Sequence, residues 1–313
     1  MKTKIVIVGT GGVGGFIGGK LAKHYTPDSS VKVCFLSRGE ALKNIRQQGL
    51  IVDAQQGSFT AHPALATDSA AEIGPADYIL LCTKAYDIER AVEQIRPTVT
   101  PQTVILPFLN GVDSAERIKA ILPEQPVWDG CVYIVAYIVS PGRIAERTNG
   151  YRYMFGAQDD PDPRQEELQS LFAEADLRAI HVPDIQRRVW DKFAFISTVA
   201  TATSYTDEPY GVVLNTPSYR QQFESLLEEF QAVACKKGIT LSEGIAQKVI
   251  DQMERIPADT TTSMQRDFRA GKNTELESLT GYIVREGERL GVPTPVYDLM
   301  YAALQNRMKP LLG

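Results

Sequence analysis

Three stretches of this chain hold residues whose types and spacing could do chemistry. The first is Gly9-Thr10-Gly11-Gly12-Val13-Gly14, which fits G-x-G-x-x-G directly after the apolar run KIVIV. Such a turn between a buried strand and a helix can hold a pyrophosphate. The first glycine permits the tight turn, the second lets backbone approach the phosphates, and the third lets the helix pack on the sheet. The free N–H groups and positive dipole end of the helix then face the anion. Gly15, Gly18 and Gly19 extend the run and read better as helix–sheet packing. The second stretch is Leu36-Ser37-Arg38-Gly39, at the end of the next apolar run. A site preferring NAD places Asp or Glu there for the ribose 2′-hydroxyl. A guanidinium there can instead pair with a 2′-phosphate, which predicts NADP(H). Arg38 could also be a solvated turn residue, with Glu40 reaching the ribose instead.

The third stretch is scattered along the chain. Lys84 follows the run DYILLC and Asn110 follows TVILP, and ligands of open α/β sheets bind beyond such strand ends. Either residue alone reads as a loop residue, but at neighbouring strand ends both become candidates to face a nicotinamide. Lys192 lies in Trp190-Asp191-Lys192-Phe193, inside an apolar helical run. Reducing a ketone leaves a developing alkoxide that needs a proton. His24, His62 and His181 are scattered with no local sign of catalysis. A partly desolvated lysine with a lowered pKa is then a reasonable acid.

These residues need a scaffold, and the apolar patterning supplies one. Strands are predicted at 4–8, 31–36, 50–53, 58–65, 77–82 and 103–107, with helices to about His24, at 40–48, 87–96 and before Pro123. Residues 127–156 read as further strands, turning at Pro141-Gly142 and Asn149-Gly150, followed by a helix at 163–175 and a strand at 178–182. Strands alternating with helices imply a parallel, doubly wound sheet. After Pro183 only helices are predicted: 184–205, one from Pro217 to Gly238, one through Ile245, Val249 and Met253, then 260–270, 275–290 and 296–308. The expected architecture is α/β, with an N-terminal Rossmann-type domain over 1–183 and an all-helical substrate domain over 184–313.

Composition narrows the function classes. The 313 residues are 43% hydrophobic and 23% charged, ordinary for a globular protein of about two domains. A net charge of −5 argues against nucleic-acid binding. No apolar run reaches the ~20 residues that span a bilayer. The opening MKTKIVIVGTGG breaks into glycines too early for a signal peptide and reads as a first strand, so a cytoplasmic protein is expected. Cys34, Cys82, Cys131 and Cys235 form no CxxC pair, and neither a disulfide framework nor a metal site is predicted.

Taken together, KIVIVGTGGVGG, LCTKAYD, LPFLNGV, VWDKFAF and TTSMQRDFRAGKNTELESLTGYIVREGERLGVPTP resemble the ketopantoate reductases (2-dehydropantoate 2-reductases), in order and from the first strand to the final helices. The resemblance implies NADPH-dependent reduction of 2-dehydropantoate to (R)-pantoate, on the route to pantothenate and coenzyme A. It implies Lys192 as the proton donor, Glu275 as the assisting carboxylate and Ser263 as a substrate-binding serine. It also places Asn110 and Lys84 near nicotinamide and substrate, beside the cofactor residues that the glycine motif and the second strand end already assign, Gly9, Gly11, Gly12, Val13, Gly14 and Arg38. Without it, Ser263 is a residue at a helix N-terminus and Glu275 a first-turn acid favoured by the helix dipole. The chain departs from the family at the positions four and eight residues after the lysine, where asparagines are usual and Ile196 and Ala200 stand here. A paralogue reducing another small branched 2-oxo acid is therefore the competing expectation. A non-catalytic NADPH-binding protein would have lost Lys192 and Glu275, and both are present. A monomer and a homodimer fit the sequence equally.

Overall fold

A computed structural model describes residues 3–148, 150–157 and 162–308. The chain forms two compact units: Met1–Leu109 with Asp113–Ile185, and Gln186–Gly313 with Asn110–Val112. No helix among the described residues is long and apolar enough to cross a membrane.

The first unit is built on β1 (Lys4–Val8), β2 (Lys32–Leu36), β5 (Leu65–Thr67), β6 (Tyr78–Leu81) and β7 (Val104–Pro107). They pair in parallel in the order β5-β2-β1-β6-β7. Ile5, Val6, Ile7, Ile79, Leu80 and Leu81 are wholly buried, as expected of strands covered on both faces. Each such side chain contributes roughly 1.5–3 kcal/mol of burial free energy. Helices α1 (Gly12–His24), α2 (Gly39–Gln48), α3 (Ala70–Ile73), α4 (Ile88–Ile95) and α5 (Ser114–Ile121) connect and flank these strands.

The expected single doubly wound sheet is only part of this unit. Strands β3 (Leu50–Ala54), β4 (Gly57–Ala61), β9 (Ala136–Ser140) and β10 (Arg143–Glu146) form a separate sheet ordered β4-β3-β10-β9. A third sheet, β12-β11-β8, contains β8 (Asp129–Tyr133), β11 (Arg152–Gly156) and β12 (Ala179–His181), with α6 (Arg164–Glu174) between the last two in sequence. The strand predicted over 58–65 is two strands, β4 and β5, in different sheets. Pro63 lies between them, and its missing N–H ends ladder pairing there. The predicted Asn149-Gly150 turn falls partly outside the described residues, because Asn149 is among those not described.

Helix α1 shows why its glycines recur. A Cβ on Gly18 would lie 3.0 Å from both Ile7 and Phe35 of the parallel sheet, and one on Gly19 would lie 2.8 Å from Val52 of the second sheet. The helix is packed tightly against both.

The second unit is helical: α7 (Ile185–Thr206), α8 (Tyr210–Asn215), α9 (Pro217–Lys236), α10 (Ile245–Glu254), α11 (Ser263–Arg269), α12 (Leu276–Leu279), α13 (Gly281–Leu290) and α14 (Pro295–Met308). Trp190 and Phe193 of α7 pack on Phe230 of α9 and Tyr282 of α13, with ring centroids 5.6–6.1 Å apart. The helix predicted over 275–290 breaks at Thr280, whose buried hydroxyl pairs with that of Thr201 on α7 at 2.7 Å. The helix predicted over 260–270 begins only at Ser263, because the Thr262 side chain caps it by accepting from the Gln265 N–H at 3.2 Å.

Candidate active site

The glycine turn is assembled by strand ends. Gly9 has φ +89°, a conformation that favours glycine, and its N–H donates to the Leu36 carbonyl at 3.1 Å. A Cβ on Gly14 would lie 2.0 Å from the Gly9 carbonyl oxygen, and one on Gly12 would lie 2.2 Å from the Ala136 carbonyl oxygen of β9. Gly11 differs: among the described residues, a Cβ there would meet nothing within 4 Å. Space opens beside Gly11, at the N-terminus of a helix that no side chain caps and whose first turn carries no acid. Val13, half-buried, packs against the hydrophobic core of this unit.

Beside the turn, the Thr83 hydroxyl oxygen is buried and has no hydrogen-bond partner among the described residues, and its methyl would lie 3.3 Å from a Cβ on Gly9. An open glycine, an uncapped helix start and an orphaned hydroxyl are the features expected where phosphates are cradled. The residues present therefore fit a dinucleotide. Thr83 was missed in the sequence, although its place between a buried strand and Lys84 was visible. Burial pushes the thiol pKa of Cys82, next to it, well above the ordinary value.

The second strand end carries Ser37 and Arg38. The Ser37 hydroxyl, nearly buried, shares a 2.7 Å hydrogen bond with that of Thr10 in the glycine turn. Arg38 occupies the N-cap position of α2 with an exposed side chain, its Nη2 lying 4.0 Å from Asp87 Oδ2. Glu40 points elsewhere, pairing with Lys43 at 2.6 Å. Half-buried Lys84 follows β6 and starts the tight turn Ala85–Asp87, its carbonyl accepting from the Asp87 N–H at 2.9 Å. Arg117 of α5 fixes that turn. It donates to the Ala85 carbonyl at 2.9 Å and pairs with Glu89 at 2.7 Å, holding the Glu89 carboxyl below the usual carboxylate range.

In the helical unit, Lys192 Nζ donates to Asn110 Oδ1 at 3.0 Å. Lys192 is half-buried, while its neighbours in sequence are held inward. Trp190 and Phe193 lie in the aromatic core, and Asp191 accepts from Ser242 through its N–H at 2.9 Å and its hydroxyl at 2.5 Å. These anchors fix the rotation of α7 about its axis and thereby the direction of Lys192. Ile196, one turn on, is half-buried, and Ala200, another turn on, is buried.

Ser263 is exposed, as the first residue of α11. Glu275 is buried, as the residue before α12. Both segments are tied to α7 by hydroxyl pairs, Thr262 to Thr203 at 3.0 Å and Thr280 to Thr201 at 2.7 Å. Thr203 lies about three turns, or ~16 Å, along α7 from Lys192. The structure thus joins Lys192 directly to Asn110, and anchors the Ser263 segment further along the same helix.

A parallel sheet feeding an open glycine turn, with a helical unit that presents a lysine to an asparagine, defines an oxidoreductase of the Rossmann class. The model of the family described as ketopantoate reductase PanE/ApbA matches residues 5–159, and that of its C-terminal part matches residues 184–308. The 2-dehydropantoate 2-reductase of Porphyromonas gingivalis W83 has a crystal structure that superposes with a TM-score of 0.86. It is 37% identical, with 97% of this chain and 99% of that one covered. The uncharacterized oxidoreductase YkpB of Bacillus subtilis is 29% identical, covering 96% of this chain and 98% of its own. The 2-dehydropantoate 2-reductase of Caulobacter vibrioides is 28% identical over the same shares. The chain belongs to the ketopantoate reductase family.

Proposed function

We propose that this protein reduces 2-dehydropantoate to (R)-pantoate with NADPH. The observation that carries the reading is the 3.0 Å hydrogen bond from Lys192 Nζ to Asn110 Oδ1. It holds an ammonium group, partly withdrawn from water, in one orientation on the anchored face of α7. In this reading the glycine turn and the Thr83 hydroxyl hold the pyrophosphate, and Arg38 takes the 2′-phosphate. The pairing of Glu40 with Lys43 supports Arg38 over Glu40 at the ribose. A dihydronicotinamide held there would supply a hydride to the ketone carbon. Lys192 stabilises the alkoxide oxygen and delivers its proton there, becoming a neutral amine that water reprotonates. Lys84 and Asn110 orient the reacting groups, while Ser263 and Glu275 hold the polar groups of the substrate.

A second reading has its own observation. Ile196 is half-buried one turn beyond Lys192 and Ala200 is buried in the core, so neither position offers a polar side chain to a substrate hydroxyl. An unpaired buried hydroxyl costs roughly 1–3 kcal/mol. This favours a 2-oxo acid with a plain branched side chain. The experiment is NADPH oxidation with 2-dehydropantoate, pyruvate and 2-oxoisovalerate. Efficient turnover of 2-dehydropantoate supports the first reading, turnover of 2-oxoisovalerate alone supports the second, and no turnover with any 2-oxo acid overturns both.

A further inference from the structure

The geometry points to Asp87 as a determinant of cofactor preference, an internal competitor for the 2′-phosphate at Arg38. The inference rests on the reading that Arg38 receives the adenosine end of the cofactor.

Asp87 occupies the N-cap position of α4, where an aspartate ordinarily accepts from a backbone N–H of the first turn. Here its side chain makes no such bond. The carboxylate turns outward instead, with Oδ1 2.5 Å from Arg90 Nη2 and Oδ2 4.0 Å from Arg38 Nη2. Its backbone is fixed, because the Asp87 N–H donates to the Lys84 carbonyl at 2.9 Å and Arg117 holds the Ala85 carbonyl. The other carboxylates of α2 and α4 have different cations: Glu40 has Lys43, Glu89 has Arg117 and Glu93 has Arg96. Asp87 is thus the acid placed on Arg38. Its side chain is 26% exposed, against 70% for Arg38, so the carboxylate is the fixed partner and the guanidinium the mobile one.

The two nucleotides meet this pair differently. A 2′-phosphate must draw the Arg38 guanidinium to itself while facing the Asp87 charge. A neutral 2′-hydroxyl meets no repulsion, and a carboxylate can accept its proton. Asp87 therefore narrows the advantage that Arg38 gives to NADPH over NADH. Asp87→Asn keeps the shape of the side chain and removes the charge.

The test is a fluorescence titration of NADPH and of NADH, without substrate, into the wild type, Asp87→Asn, Arg38→Gln and the double variant. Asp87→Asn is expected to tighten NADPH about fivefold, the upper range for one exposed charge pair, and to leave NADH within about twofold. The gain should shrink with added salt, because the groups are exposed. In the Arg38→Gln background the same substitution should change the NADPH-to-NADH ratio clearly less, because only the direct repulsion between Asp87 and the 2′-phosphate is then relieved. An unchanged ratio in Asp87→Asn alone, or an equal gain with and without Arg38, overturns the proposal. The underlying reading fails by a different number: Arg38→Gln would not weaken NADPH relative to NADH.

Discussion

Lys192 and Asn110 stand 82 residues apart in sequence and meet at 3.0 Å, Nζ donating to Oδ1. Asn110 follows the last strand of the parallel sheet, yet Asn110–Val112 belong with the helical unit. Within the helical unit, the asparagine is the partner that the segment after β7 supplies to the candidate acid.

Removing the ammonium group should therefore affect chemistry more than binding. Lys192→Ala is expected to lower turnover by about 10²–10⁴, the usual range for a positioned general acid, with NADPH affinity little changed. Asn110→Ala should lose less, and the double variant little more than Lys192→Ala, because the two groups act as a pair. Steady-state rates beside NADPH titrations measure this, and equal modest losses in both quantities would sink the role of Lys192.

The glycine turn makes a sharper distinction, between glycines that admit protein and one that admits ligand. Gly14→Ala places a methyl 2.0 Å from the Gly9 carbonyl oxygen and should destabilise the first unit, by roughly 1–3 kcal/mol if backbone shifts relieve the clash. Gly11→Ala meets nothing within 4 Å among the described residues, and Gly11 has φ −72°, open to any residue. It should unfold at the wild-type temperature and still bind NADPH at least tenfold more weakly, by ~1.4 kcal/mol or more. Thermal unfolding with a NADPH titration checks both, and normal NADPH affinity in Gly11→Ala would show that no ligand approaches there.

The turn itself was legible in the sequence, because glycines at this spacing, breaking a β-branched apolar run, fit a strand-to-helix turn and little else. Lys84 and Asn110 were legible for the same reason, each ending such a run. What escaped depends on partners distant in sequence. Asp87 looks like an ordinary helix cap until Arg38 is found beside it, and Thr83 like a strand-end threonine until its hydroxyl proves to be orphaned. The two extra sheets escaped because alternating strands show their period but not their partners: β3 pairs with β10, from residues some ninety positions later. The short α8 escaped because six residues are too few for helical periodicity to show.

Ile196 offers a change of specificity on the same helix. Ile196→Asn places an amide one turn from Lys192, on a half-buried surface. If the wild type prefers a plain branched 2-oxo acid, this variant should shift kcat/KM toward 2-dehydropantoate about tenfold, the value of one hydrogen bond to a substrate hydroxyl. If the wild type already prefers 2-dehydropantoate, the variant should gain little. A shift toward the plain acid would contradict the assigned position of Ile196.

The helical unit should lose stability in acid through Glu286. Its carboxylate accepts from Arg289 at 2.7 and 2.9 Å and from Lys237 at 2.8 Å, and these partners hold its pKa below the ordinary value despite its burial. A depressed folded-state pKa gives stability that is fully present above the unfolded value, roughly 4.3, and is lost as pH falls through the folded value. Urea unfolding at near-neutral pH should show Glu286→Gln less stable than the wild type by about 1 kcal/mol, with the gap closing toward pH ~3. A gap that widened in acid would reverse the sign and refute the assignment.

Glu229 works in the opposite electrostatic sense and tests how α14 is held. Its two carboxylate oxygens accept from the backbone N–H groups of Val296 and Tyr297 at 2.8 and 2.9 Å, so a side chain of α9 caps α14. Pro295, at the first position of α14, has no N–H to satisfy, and the following two donors go to this one group. Burial pushes the Glu229 carboxyl up, more strongly than the two N–H bonds pull it down. The charge is thus a cost and the acceptor geometry the gain. Glu229→Ala leaves both donors without their acceptor and should destabilise by about 2 kcal/mol. Glu229→Gln removes the charge but keeps one oxygen, and should cost clearly less. Because the folded-state pKa is raised, the wild type gains stability as pH falls and Glu229 becomes neutral, so the cost of Glu229→Gln should grow toward acid. Chemical unfolding of the three proteins at two pH values decides it. Equal losses in both variants at neutral pH would mean that the carboxylate charge, and not its place as an acceptor, holds the start of α14.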